Sequence, residues 1–208
     1  MKKWIAAAGL ACCVSAAVLG GCGKKEQPAE TAAETTAEAA AEKKYSYENI
    51  GITLALPENF EDTKGAFYPH VVGEVEEGSG IRQLGFFYLA MPKEEYLEIV
   101  KTSQTRELTE EEVAHARSTA GTLAMIFSVD GGRDFTAVKE QFAKNGTEFD
   151  AKYAAEIGKA GDVTFYNYME PNEDYTDGLE KEYAEEYQKL RGALEDAFTK
   201  AEYTAPEA

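Results

Sequence analysis

The chain has 208 residues, with 21 basic side chains against 38 acidic ones and a formal net charge of −17. A surface this acidic repels polyanions and anionic lipid headgroups, which excludes nucleic-acid binding. The two histidines, His70 and His115, lie in unrelated segments, and neither a metal site nor a cofactor is expected.

The chain opens on Met1-Lys2-Lys3, a short positive segment, followed by an uncharged, Ala-rich run from Trp4 to Leu19. That run falls short of the roughly 20 apolar residues of a comfortable membrane-spanning helix, and its small-residue end describes a secretory signal. It closes on Val18-Leu19-Gly20-Gly21-Cys22-Gly23. An apolar residue, two small residues and a cysteine in this position resemble the lipobox of bacterial lipoproteins. The resemblance implies cleavage between Gly21 and Cys22, acylation of Cys22, and a protein held by membrane lipid and facing outside the cytoplasm. Cleavage would also remove Lys2, Lys3, Cys12 and Cys13. The remainder would be two charges more negative, with its one cysteine sulfur occupied by lipid, so no thiol is left for a tetrahedral zinc site.

Residues 22–44 read as the lipidated cysteine and a flexible acidic linker. From Lys24 to Lys44 the only apolar residues are alanines and one proline, too little to bury a core. Glu26, Glu30, Glu34, Glu38 and Glu42 recur every four residues, which would set like charges on one helical face. As a coil this segment spans roughly 25 Å, enough to lift a domain clear of headgroups.

From Tyr45 aromatics and β-branched residues appear, and residues 45–204 suit one domain, with 205–208 as a tail. Tyr45–Glu48 and Ile52–Leu56 read as short strands, the second with Ile52, Leu54 and Leu56 facing the core. Phe67, Val71 and Val75 alternate with Tyr68, His70, Glu74 and Glu76, which predicts a half-buried strand. Glu77–Gly80 turns the chain, and Ile81–Met91, apolar on both faces, predicts a central strand. Pro92 suits the first position of a helix with Tyr96, Leu97 and Val100 on its inner face.

Thr109 to Glu112 is a capping box opening a helix to about Thr119. Leu123–Val129 reads as a buried strand, Asp130–Gly132 as a turn, and Asp134 as the cap of a helix carrying Phe135, Val138 and Phe142, stopped by Asn145-Gly146. Residues 148–161 fit a helix or a strand. Val163–Met169 is a strand. Leu179, Tyr183, Tyr187, Leu190, Leu194 and Phe198 form a helical stripe, with Glu173, Asp174 and Asp177 at its positive end. This order predicts an α+β fold: an antiparallel or mixed sheet of about six strands covered by helices, with a long amphipathic helix at the C-terminal end.

Few residues point to chemistry. Gly78-Ser79-Gly80 starts like a dinucleotide fingerprint, but a strand follows it instead of a helix. Ser128–Asp134 sets Asp130, Arg133 and Asp134 after a buried strand, a common site location. No nucleophile–base pair accompanies them, and a turn with a helix cap accounts for the same residues. Glu170, Glu173, Asp174 and Asp177 invite calcium, yet Tyr175 occupies a ligand position of the EF-hand pattern. The twelve tyrosines suggest carbohydrate or peptide binding, although strand alternation and helix inner faces explain most of them.

Tyr45–Ile52, Leu56–Phe60, Phe87–Met91, Leu108–Val113, Asp130–Arg133 and Glu182–Tyr187 together resemble the module that precedes the thioredoxin-like domain in TlpA/redoxin-type lipoproteins of anaerobic Gram-positive bacteria. The resemblance spans roughly residues 45–205 and implies association with an extracytoplasmic thiol–disulfide system. No Cys-x-x-Cys is present, so the family's redox chemistry maps onto no residue of this sequence. The expected function is a non-enzymatic binding or accessory module, possible partners being a thioredoxin-like or other envelope protein. A structural envelope lipoprotein and a hydrolase built on Asp130 and Asp134 are the alternatives.

Overall fold

The computed structural model describes residues 41–206. The expectations for the signal, for Gly21 and Cys22, for most of the linker and for the last two residues lie outside this range. The described chain runs β1 (Glu42–Tyr47), β2 (Ile52–Pro57), β3 (Ala66–Glu74), β4 (Ile81–Leu89), α1 (Lys93–Thr105), α2 (Glu110–Thr119), β5 (Ala120–Val129) and α3 (Phe135–Ala143). A 3₁₀ turn (Ala151–Tyr153) leads to β6 (Ala154–Ala160), β7 (Val163–Tyr168), α4 (Glu173–Thr176), α5 (Lys181–Phe198) and β8 (Glu202–Tyr203).

The fold is α+β, and its strands divide between two antiparallel sheets, ordered β1-β2-β8 and β3-β4-β5-β7-β6. Ile52, Leu54 and Leu56 alternate into the main core as their spacing predicts. They meet the α5 stripe of Tyr183, Tyr187, Leu190, Leu194 and Phe198, and Leu84, Phe86, Tyr88, Ile126 and Phe165 from one face of the large sheet. Each such side chain, fully withdrawn from water, contributes about 1.5–3 kcal/mol. The opposite face carries a second cluster, Met125, Phe127, Val129, Tyr166 and Tyr168, under Phe135 and Val138 of α3. Ala66, Leu89, Met91 and Ala116 form a third, smaller cluster beside Tyr96 and Ile99 of α1. The large sheet is therefore the middle layer.

Local signals hold where chemistry is local. The capping box is complete: Thr109 Oγ1 accepts from the Glu112 amide at 3.3 Å and the Glu112 carboxylate accepts from the Thr109 amide at 2.8 Å. Asp134 caps α3 by accepting from the Thr136 amide. Gly78 and Gly80, with φ of 77° and 61°, supply the left-handed conformations of the β3–β4 turn.

Several expectations change. β1 begins at Glu42, inside the segment read as linker, because Glu42, Lys43 and Lys44 pair with Pro57, Leu56 and Ala55 through backbone groups that need no apolar side chain. Residues 154–160 form a strand paired with β7, and Phe149 is buried without being helical. Leu97 does not face inward: it is 61% exposed, and Tyr96 and Ile99 turn α1 toward the sheet. Val71 is exposed, since β3 is an edge strand whose register shifts between Val71 and Gly73. Pro92 stands one position before the first helical residue, Lys93. Glu173 and Asp174 open the short α4 instead of the long helix, which starts at Lys181 with Glu182 in its first turn.

Candidate functional site

The structure brings Asp130, Arg133 and Asp134 to one end of the large sheet and engages each of them. Asp130 Oδ1 accepts from Arg82 Nη1 at 2.8 Å. Arg133 donates through Nε to the Asp130 carbonyl at 2.9 Å, and through Nη2 to the carbonyls of Ser79 (2.7 Å) and Gly80 (3.2 Å). Asp134 caps α3. The guanidinium thus ties the β3–β4 turn to the β5–α3 turn, reinforced by the Asp130 amide bonding to the Gly80 carbonyl at 2.8 Å. These residues build a joint. Ser128, directly before it, is fully buried, and its Oγ finds no hydrogen-bond partner.

A second polar centre, not marked by any motif, surrounds Glu186 on α5. Its carboxylate accepts from the backbone amides of Lys64 (2.7 Å) and Gly65 (3.0 Å) and from the Tyr88 hydroxyl (2.6 Å). Burial works to raise the Glu186 pKa. The Lys64 amide, the Tyr88 hydroxyl and the Gly65 amide outweigh it and hold the pKa below the ordinary 4.5. Tyr88 is pushed well above a normal phenol, first by burial and then by this carboxylate. A phenol so shifted is no nucleophile at neutral pH, and a carboxylate so saturated is a poor proton acceptor. The centre fastens the β2–β3 loop to α5. In sequence, Glu186 lies between Tyr183 and Tyr187 of the apolar stripe, and that boundary position is the signal that could have found it.

Among the described residues no group of three or more His, Cys, Asp or Glu side chains is arranged to hold a metal. The Glu170 carboxylate accepts instead from the Tyr168 hydroxyl at 3.0 Å. Between α1 and α2 a shallow hollow of about 430 Å³ is lined by Glu95, Ile99, Thr109, Glu111, Glu112 and His115. His115 Nε2 and Glu95 Oε1 lie 2.7 Å apart across it, and the fork of Arg106 occupies Glu112.

The remaining feature is apolar. Tyr68 and His70 lie on the face of β3 opposite the main core, with Phe87 across from Tyr68 and Gly85 across from His70. The Phe87 ring folds over Gly85, where a Cβ would come within 2.6 Å of it. Tyr68 stacks on His70 at 5.8 Å, its hydroxyl 3.1 Å from His70 Nδ1, and approaches Phe87 and Tyr96 at 6.5 and 6.2 Å. These half-buried rings border the outer edge of the sheet, where Val71 and Val72 are 39% and 43% exposed. Most other tyrosines are consumed by packing: the hydroxyls of Tyr175, Tyr187 and Tyr203 donate to the carbonyls of Thr119, Thr122 and Ile157.

No protein-family model, curated protein or solved structure matches the chain.

Proposed function

We propose that the chain is a lipid-anchored extracytoplasmic domain that binds a partner protein and catalyses no reaction. The Val18–Cys22 stretch supports the anchor. The observation that carries the binding half is the aromatic strip of Tyr68, His70 and Phe87 beside the exposed Val71 and Val72. Monomeric surfaces keep such apolar ground small unless it meets something. Against catalysis stands the saturation of the polar centres, since Asp130, Arg133, Asp134 and Glu186 are each spent on backbone or side-chain partners. Among the described residues no helix is long and apolar enough to cross a membrane. The family resemblance makes a thioredoxin-like envelope protein the first partner to test. Any part in thiol–disulfide exchange would be that of a holder, because exchange requires a thiolate that an acylated Cys22 does not supply.

The test compares wild type with Cys22→Ser in the native cell. The expected result is loss of the protein from the membrane fraction, or arrest of its processing, with a mass lacking the acyl chains. Unchanged membrane retention and mass would reject the anchor. Detergent pull-down from the same cells tests the binding half.

A further inference from the structure

We propose that β3 accepts an extended, basic segment of the partner protein as a sixth strand of the large sheet. This rests on the binding reading above and gives it a geometry and a ligand chemistry. β3 ends the order β3-β4-β5-β7-β6. Pro69 pairs with Phe86 in this strand and has no N–H, so it can occupy only a position whose N–H side points away from β4. Alternation along an antiparallel ladder then turns the N–H groups of Phe67 and Val71 outward, two residues either side of Pro69, together with the Pro69 carbonyl. That is a row of backbone partners for an added strand, with one donor missing.

The other three edges are less open, and β8 is only two residues long. At β6, the Tyr203 hydroxyl already donates to the Ile157 carbonyl, and Gly158 lies so close to the Tyr203 ring that a Cβ would reach 2.2 Å. β1 presents the charged Glu42, Lys43 and Lys44, the usual guard of an edge. On β3 an incoming strand would instead meet exposed Val71 and Val72, and rest alternate side chains on the Tyr68–His70–Phe87 strip. In strand addition the backbone supplies affinity and such side-chain ground supplies selectivity.

Charge fixes the chemistry of the occupant. The exposed Glu61 and Asp62 precede β3, and the exposed Glu74 and Glu77 end and follow it, Glu76 between them being paired with Lys144. The nearby bases are engaged: Lys64 with Glu182, Lys93 with the Glu61 carbonyl, and Lys144 with Glu76. In a chain of net charge −17 this edge favours a cationic strand and repels a second copy of itself.

The probe is a short fluorescent peptide of alternating lysine and valine, titrated by anisotropy into the full chain in detergent. Saturable binding is expected, with amide exchange slowed at Phe67 and Val71. A glutamate–valine peptide should not bind. Val71→Pro removes the outward donor and should weaken binding on the order of ten-fold, the worth of about one backbone hydrogen bond, whereas Val71→Thr keeps the N–H and should not. Asp62→Lys with Glu77→Lys should weaken it without altering melting. If Val71→Pro proves unstable, the exchange of the Phe67 and Val71 amides in the wild type decides. Equal binding by Val71→Pro and Val71→Thr, or protection appearing elsewhere, overturns the proposal. So does dimerisation of the chain that Val71→Pro abolishes, since the occupant would then be a second copy. Failure of the peptide to bind, while pull-down still recovers an envelope protein, overturns strand addition and leaves the binding reading standing; failure of both removes the two together.

Discussion

The carboxylate of Glu186 stands 2.6 Å from the Tyr88 hydroxyl while also accepting the Lys64 and Gly65 amides, so one side chain of α5 joins a loop and a central strand. Gly65 makes this possible: a Cβ there would lie 2.4 Å from the Tyr88 oxygen.

Glu186→Ala should therefore cost more than an exposed glutamate normally does. It strands the hydroxyl of the fully buried Tyr88 and two amides, and hydrogen bonds to a charged group contribute about 1.5–3 kcal/mol each, in part recovered by water at the two amides. A net loss of about 3 kcal/mol is expected, a fall in Tm of roughly 6–12 °C for a domain of this size. The pH dependence follows from the direction of the shift. The folded pKa lies below the unfolded one, so the stabilisation is fully present above the ordinary 4.5 and is lost as pH falls through the lowered folded value. Thermal melts across this acid range should lose more stability in wild type than in Glu186→Gln. Parallel curves would refute the assignment.

A second prediction concerns where the domain starts. The Ala41 carbonyl accepts the Glu58 amide at 2.8 Å, and Glu42, Lys43 and Lys44 pair with β2. A fragment beginning at Tyr45 should be less stable than one beginning at Ala41 by about 1–2 kcal/mol, through lost ladder hydrogen bonds. The exposed Lys44–Glu202 pair should add nothing measurable to this. Chemical denaturation of the two fragments measures the difference, and identical midpoints would mean the first half of β1 is ornamental.

What was legible in the sequence was what neighbours in sequence decide. The Ile52–Leu54–Leu56 alternation, the Thr109–Glu112 box, the Asp134 cap and the α5 stripe each report a period or a reciprocal bond within a few residues. What depends on distant partners was not. β8 is two residues long and exists because Ile52 and Thr53 pair with Tyr203 and Glu202; no local pattern announces it. Residues 154–160 became a strand through β7, while their own spacing fitted helix as well. Leu97 carried a helical period but its helix packs through its neighbours, and Val71 lost its burial to an edge and a register shift. Of the site, the Asp130–Asp134 turn was visible as a turn and a cap, whereas the role of Glu186 is set by Lys64 and Gly65, over a hundred residues away.

The last prediction separates a joint from a catalytic centre at Asp130 and Arg133. If Arg133 serves to hold the carbonyls of Ser79, Gly80 and Asp130, its planar fork matters more than its charge, because one ammonium cannot serve three carbonyls in that geometry. Arg133→Lys should then behave nearly like Arg133→Ala. Both should lose about 1 kcal/mol and speed exchange of the Asp130 amide, which bonds to the Gly80 carbonyl at 2.8 Å. Asp130→Asn should be milder, since the amide oxygen can still accept from Arg82, now 2.8 Å from Oδ1. The effects should stay at this end of the sheet and leave the exchange of the Lys64 and Gly65 amides unchanged. A hydrolytic activity that vanished in Asp130→Asn while melting and exchange stayed the same would contradict the joint and restore the carboxylate hydrolase.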